Sequence, residues 1–265
     1  MPQQPFGLLP PSGLPGGGRP MSRAVLVTGA SRGIGRAVAE LFAAHGERVA
    51  LHYASRREAA QEAFAGLAGS GHVLVQGDVG TPEGAAAIVE AAVEGLGGVD
   101  VLVNNAAANE PHPLDRTSFE DWQRVWRRLV DVNLLGAAHL THCAARNMIE
   151  REVAGRIVNI GSRGAFRGEP DHPAYGASKA ALHAMGQSLA VHLAPYGIAV
   201  ASVAPGFVAT ERVEDRLTDE VRQQSPFGRV ASPQDVASAV HYLASPEATW
   251  VSGAVLDVNG ASYLR

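Results

Sequence analysis

Tyr175 and Lys179 stand four residues apart in Ala174-Tyr175-Gly176-Ala177-Ser178-Lys179, directly after Pro173. On a helix, residues at this spacing share a face, about one turn or roughly 6 Å of rise apart. An ammonium beside a phenol favours the phenolate and moves the hydroxyl down from its reference pKa of about 10, toward values at which it exchanges protons. The pair is a candidate acid/base. Taken alone, the spacing is also that of ordinary helix-surface decoration, and the rest of the chain has to decide between the two.

A second stretch, Thr28-Gly29-Ala30-Ser31-Arg32-Gly33-Ile34-Gly35, has the composition of a phosphate cradle. Glycines let a backbone turn sharply and approach a pyrophosphate, and a following helix N-terminus offers N–H donors and partial positive charge. Gly29, Ser31, Arg32, Gly33, Ile34 and Gly35 are therefore candidate dinucleotide contacts; the bland alternative is a tight connection between strand and helix. A site for NAD usually carries an acidic residue about twenty positions further on. Here Leu51-His52-Tyr53-Ala54-Ser55-Arg56 has no carboxylate. Arg32 and Arg56, with Tyr53 and Ser55 between them in the cofactor's path, would instead stabilise a ribose 2′-phosphate. NADP(H) is favoured over NAD(H), against the alternative of two solvated surface arginines.

The elements that must position these residues alternate. Ala24 to Val27 is a short apolar run of the kind a strand buried on both faces shows, and Gly33 to His45 follows with helical spacing. The same reading places strands at Arg48 to Tyr53, His72 to Gln76, Asp100 to Asn104, Arg156 to Ile160, Ile198 to Val203 and Ala254 to Val258. Between them it places helices at Arg57 to Leu67 and Pro82 to Leu96, one long helix from about Ser118 to Met148, and the Tyr-Lys helix ending near Leu193. A further helix is capped by Ser232-Pro233. Strict alternation predicts an α/β fold: a doubly wound parallel sheet covered on both faces, with ligands at the carboxyl ends of the strands.

With 265 residues, 46% hydrophobic and 18% charged, the chain can form one sizeable domain, expected over residues 22–265. Residues 1–21 are rich in Pro and Gly and read as a disordered extension without the pattern of a secretory signal, and Met21 stands where a translation start would. A net charge of −4 gives no electrostatic reason to bind nucleic acid or an anionic membrane, and no apolar run is long enough to span one. The single cysteine, Cys143, excludes an intrachain disulfide, suits a reducing cytoplasm and is expected to pack inside a helix. His112 and His172 lack partners at metal-binding spacing, so no metal is expected.

Further motifs stand in order along the chain: Asp78-Val79, Asn104-Asn105-Ala106-Ala107, Asn133, Ser162, Tyr175 with Lys179, and Pro205-Gly206 through Thr210. Jointly with the glycine turn they make the sequence resemble the short-chain dehydrogenase/reductase family, and within it the 3-oxoacyl-(acyl carrier protein) reductase-like members, over Ser22 to Gly260. The resemblance implies a single Rossmann-fold domain and hydride transfer between a nicotinamide cofactor and a small carbonyl or alcohol substrate. It implies that Tyr175 is the general acid/base, that Lys179 tunes it and holds the nicotinamide ribose, that Ser162 holds the carbonyl oxygen, and that Asn133 holds a water linking Lys179 to solvent. By the same analogy Asp78 and Val79 meet the adenine, Asn105 and Ala106 pass close to the ribose, and Pro205, Gly206, Val208 and Thr210 meet the nicotinamide. Ala107 stands where the family usually has glycine, which puts the geometry of that loop in question.

The substrate walls in similar proteins correspond to Asn109 to Leu114, Arg163 to His172 and Phe207 to about Phe227. They mix Phe166, Phe207 and Phe227 with Arg163, Arg167, Arg212 and Arg216. An arginine-rich mouth would suit a phosphopantetheine or a carboxylate, but these arginines read more simply as a solvated rim. The two long helices carry many apolar residues, among them Leu140, Ala144, Met148, Leu182, Met185, Leu189 and Leu193; one face can bury against the sheet, any remaining apolar face would suit subunit contact, and the resemblance implies a homo-oligomer, tetramer or dimer. The leading function is NADP(H)-dependent interconversion of a ketone and a secondary alcohol. An NAD-dependent alcohol or polyol dehydrogenase and a non-catalytic dinucleotide-binding regulator remain as alternatives.

Overall fold

The computed structural model describes residues 22–211 and 218–265. The reading of residues 1–21 as an extension, and Arg212 and Arg216, lie outside the described residues. Strands β1 (Ala24–Val27), β2 (Arg48–Tyr53), β3 (Val73–Gln76), β4 (Val101–Asn104), β5 (Arg156–Ile160), β6 (Ala199–Pro205) and β7 (Val255–Val258) form one sheet in the order β3-β2-β1-β4-β5-β6-β7. Every pairing is parallel, with Val25 opposite Val49 on one side and Val101 on the other. The central strands β1, β4 and β5 are buried at every position because both faces are covered, as alternation with helices requires, and β1 is apolar throughout.

Helices α1 (Gly33–Ala44), α2 (Arg57–Ala65) and α8 (Pro233–Leu243) bury Phe42, Val38, Ala60, Val240 and Leu243 on one face. Helices α3 (Pro82–Leu96), α5 (Gly136–Glu150) and α6 (Pro173–Leu193) bury Ile88, Leu96, Leu140, Met148 and Leu193 on the other. The chain winds outward through β1, β2 and β3, then crosses to β4 on the far side of β1. The carboxyl ends of β1 and β4 therefore diverge into a crevice, which is where such sheets take ligands.

The expected Ser232-Pro233 start of α8 is a full capping box. Ser232 accepts from the Asp235 N–H, the Asp235 carboxylate accepts from Ser232, and these bonds with Arg229 hold the Asp235 carboxyl down at about 2. The long helix expected from Ser118 to Met148 is a single rod with an interruption. Helix α4 (Phe119–Val130) passes through a π turn, Asp131–Leu135, before α5 begins. A short α7 (Asp219–Gln223), capped by Thr218, is absent from the sequence reading. Cys143 is half-buried on α5 against the core, and burial raises its thiol pKa.

Of the apolar residues on the two long helices, Leu140, Ala144, Met148, Leu182 and Leu193 are buried within the protomer, as a face that packs inward requires. The large apolar side chains that do face outward include Leu135 and Val191 on the long helical elements and Tyr242, Trp250, Leu256 and Leu264 around α8 and β7. No helix among the described residues is long and apolar enough to cross a membrane.

Candidate active site

A cleft of about 1730 Å³ opens at the carboxyl ends of the strands, larger than a pocket for one small molecule. All the residues expected at the cofactor, from Gly29 through Thr210, line it together with Ser162, Tyr175 and Lys179. Asn133 does not. It lies behind the wall, 1% exposed.

At the first end, Gly29 takes φ +64°, a conformation that favours glycine, and an added Cβ would sit 2.9 Å from the Ala106 backbone. A Cβ on Gly35 would meet the Asn105 amide at 2.4 Å and Gly29 O at 2.5 Å. No side chain caps α1, so its first-turn N–H groups remain for a ligand, and this cradle fits a pyrophosphate. Three neutral side chains hold the cradle. Thr28 Oγ1 donates to Val103 O and accepts from the N–H of both Asn105 and Ala106, each at 3.0 Å. Asn105 Nδ2 donates to Thr28 O and Gly29 O. His52 Nδ1 accepts from Gly29 N–H at 3.1 Å, which leaves Nε2 as the protonated nitrogen that donates to Gly77 O. Burial lowers the His52 pKa to about 4.

After the end of β2, Ser55 and Arg56 are exposed and line the cleft, as does Arg32. Tyr53 belongs mainly to the core, and its hydroxyl donates to Gln76 Oε1. Asp78 turns its carboxylate onto Gly80 N–H while Val79 is buried beneath it.

At the other end, β5 delivers Ser162, whose Oγ accepts from Gly164 N–H at 2.9 Å. That bond leaves the hydroxyl proton for a ligand. Helix α6 presents Tyr175 and Lys179, with the Lys179 Nζ 5.8 Å from the Tyr175 ring centre. The ammonium is buried and donates to Ile160 O at 2.7 Å, which fixes it at the end of β5. Asn133 sets the height of α6. Its Oδ1 accepts from Ala108 N–H, its Nδ2 donates to Ala108 O and to Ser178 Oγ, and Ser178 Oγ donates to Tyr175 O. The Asn133 side chain is thus engaged by protein through both its oxygen and its nitrogen. Ala107 does not take positive φ, so the methyl in place of the family's glycine is accommodated in ordinary backbone.

The walls depart from a solvated rim. Arg167 is exposed, but Arg163 is buried, and the Phe207 ring lies beneath its guanidinium. Phe166 stacks on His183, whereas Phe227 is exposed. Asn109, Glu110 and Pro111 also line the cleft.

A family model described as enoyl-(acyl carrier protein) reductase matches residues 29–261. The chain belongs to the short-chain dehydrogenase/reductase family. It is 38% identical over 248 residues to the 3-oxoacyl-(acyl-carrier-protein) reductase FabG of Vibrio cholerae, an alignment that covers 91% of this chain and 98% of that one. It is 37% identical to 3beta-hydroxysteroid dehydrogenase 1 of Eggerthella lenta, covering 91% and 94%. The crystal structure of acetoin dehydrogenase YohF from Salmonella typhimurium superposes with a TM-score of 0.82 at 34% identity, covering 91% of this chain and 97% of that one. The family consists of oxidoreductases acting on CH–OH and C=O groups.

Three positioning residues of this dehydrogenase/reductase escape a sequence reading. Thr28 is a buried hydroxyl one residue before the glycine turn, and that position is its only signal. His52 carries none beyond being a polar residue inside an apolar strand. His112, 62 residues from the helix it serves, accepts from Ala174 N–H through Nε2 and engages Glu110 O through Nδ1, while its own N–H donates to Asp171 O. It caps α6, which has no cap of its own, and sews the wall loop to the helix that carries Tyr175.

His52 and His183 are both buried and both have pKa values lowered to about 4, His52 mainly by burial and His183 by burial and then by the Lys179 charge. Above pH 6.5 neither state binds these protons. As the pH falls below 6.5 the unfolded chain binds them first, so stability drops until about pH 4, where the folded state also protonates. By pH 5 each histidine should have removed about 2 kcal/mol. The urea midpoint is expected to fall between pH 6.5 and 5, with roughly half of the fall absent in His52→Gln; a midpoint flat across that interval would exclude the two buried neutral imidazoles.

Proposed function

We propose that the protein is an NADP(H)-dependent oxidoreductase that interconverts a ketone and a secondary alcohol, with Tyr175 as general acid/base. The observation that carries this reading is the convergence of Ser162, Tyr175 and Lys179 on one cleft with the glycine turn at its other end. When bound, the dinucleotide supplies or takes up the hydride. The chain's own groups manage the oxygen. Ser162 donates a hydrogen bond from its hydroxyl to the substrate oxygen, where negative charge develops, and keeps its proton. Tyr175 gives its proton to that oxygen as the carbonyl carbon is reduced, and takes it back in the oxidative direction. Lys179, fixed by Ile160 O, stabilises the phenolate left behind. Asn133 and His112 act through α6 as positioning residues.

The preference for NADP(H) rests on Arg32 in the glycine turn and Arg56 after β2, which line the same cleft, and on residues 51–56 carrying no carboxylate. Asp78 follows the next strand, and its charge is turned onto Gly80. The outward Tyr242, Trp250, Leu256 and Leu264 around β7, with Trp250 fully exposed, support self-association into a dimer or tetramer.

Tyr175→Phe should bind NADPH within about twofold of wild type and lose at least about 100-fold in kcat for any ketone turned over; wild-type kcat in that variant would remove Tyr175 from its role. In a fluorescence titration NADPH should bind roughly tenfold or more tighter than NADH, and an Arg32→Ala, Arg56→Ala double variant should erase the difference. Equal dissociation constants in the wild type would refute the assignment. Light scattering at micromolar concentration should give a multiple of the 27.6 kDa protomer, and a monomeric mass would contradict self-association.

A further inference from the structure

One cation in the cleft wall has no part in that chemistry. Arg163 directly follows Ser162, lines the same cleft as Ser162, Tyr175 and Phe207, and is only 5% exposed. Its recorded hydrogen bonds leave from one nitrogen: Nη1 donates to Gln224 Oε1 at 3.1 Å and to Ser262 Oγ at 2.8 Å. Arg167 Nη1 donates to the same Gln224 oxygen at 3.2 Å. Two guanidiniums thus converge on one neutral amide, and among the described residues no carboxylate lies within the 4.0 Å of an ion pair with either. Glu169, on the same loop, acts on Arg163 only at longer range.

Burying a cation without a counter-ion opposes folding, and a guanidinium does not escape by losing its proton. The cost is understandable where the counter-ion arrives with a ligand. Among the described residues Nε and Nη2 of Arg163 make no hydrogen bond, and that edge is the planar fork that takes a carboxylate through two parallel bonds. Neutral acceptors from α7 and from the C-terminal segment orient the guanidinium, and the Phe207 ring supports it from one face at 5.3 Å, all without cancelling its charge.

We propose that Arg163 is the substrate anchor of this site and binds a carboxylate carried a few bonds from the reacting carbonyl, so that the substrates are short keto acids and the corresponding hydroxy acids. The short separation rests on a shared wall: Arg163 and the Phe207 ring beneath its guanidinium line the same cleft as Ser162 and Tyr175, and Phe207 follows Pro205-Gly206 at the expected nicotinamide end. The inference rests on the carbonyl-reduction reading above and narrows its substrate class.

The test measures kcat/KM with NADPH for 2-oxobutanoate, 3-oxobutanoate and 4-oxopentanoate, each against its methyl ester. At least one acid should exceed its ester by roughly 10- to 100-fold, the range of a charge-assisted hydrogen-bond pair. Arg163→Met should collapse that ratio, mainly through the KM of the acid, and Arg163→Lys should restore part of it. Esters turned over as well as the acids, or preferred long acyl thioesters, would overturn the proposal. Butanoate and butanamide titrated calorimetrically into the wild-type protein with NADP+ give a second readout that needs neither turnover nor a folded variant. Binding of butanoate in preference to butanamide supports the anchor, and equal or absent binding of both overturns it. If no carbonyl compound is reduced while butanoate still binds selectively, it is the carbonyl-reduction reading that fails.

Discussion

The reactive groups depend on one carboxamide. Asn133 closes a two-bond ring with the peptide of Ala108, using one donor and one acceptor, and places its second N–H on Ser178 between Tyr175 and Lys179. Three segments distant in sequence are thereby held at one height: the loop after β4, the rod of α4 and α5, and α6. An aspartate of the same shape has no N–H to donate to Ala108 O or Ser178, so the amide cannot be replaced by charge. Delivering the side chain inward requires the helix to add a residue to one turn, which is what the π segment Asp131–Leu135 does. Gly136 then lets the rod pass so close to the loop after β3 that a Cβ would meet Val79 O at 2.4 Å.

The dinucleotide end is built on the same principle. Thr28, Asn105 and His52 are neutral and spend their polar atoms on backbone groups of the crevice. Neutral supports add no counter-charge to compete with phosphates for the α1 N-terminus or with a ligand for Arg32 and Arg56. In a low-dielectric cleft this matters more than in water, because an acidic support near the cations would both hold them and cancel them. Burial keeps His52 uncharged at neutral pH, and only the uncharged ring can accept from Gly29.

Much of this was legible in order along the chain. The strands are short apolar runs, which only a sheet covered on both faces explains, and β2, β5, α3 and the span of α6 fall where hydrophobic pattern, Pro173 and the glycines put them. The site residues that contact the cleft were legible because their chemistry demands a type at a strand end: glycine where a Cβ has no room, serine after β5, a phenol and an ammonium one turn apart. What was not legible acts across distance. Asp131-Val132-Asn133-Leu134-Leu135 has no periodicity that separates a π turn from continuing α-helix. His112 caps a helix far along the chain, and nothing local marks an imidazole as a cap for another element. Arg163 in sequence is one of several arginines near the mouth, and only the packing of Phe207, Gln224 and Ser262 around it turns a rim residue into a buried one.

In the proposed function, catalysis and selection meet just beyond the end of β5. The three relatives above carry names as different as a 3-oxoacyl-(acyl-carrier-protein) reductase, a 3beta-hydroxysteroid dehydrogenase and an acetoin dehydrogenase while sharing most of the chain. The common frame therefore does not choose the substrate, and the choice falls to whatever stands in the walls. Here the connection that leaves β5 carries both Ser162 and Arg163, so under the roles proposed above the group assigned to the carbonyl oxygen and the group assigned to its neighbour sit on one short segment. That end is held from below. The His183 ring fills the space against Gly161, where a Cβ would come within 2.0 Å of it, and Phe166 stacks on its other side. Arg265 in turn lies over Phe166 at 4.1 Å, and the Tyr263 hydroxyl donates to Phe166 O. The C-terminal segment thus bears on the wall twice, through Ser262 on Arg163 and through Phe166 on the support beneath Ser162. Under the roles proposed above, substrate choice is thereby coupled to a part of the chain that lies apart from Ser162, Tyr175 and Lys179.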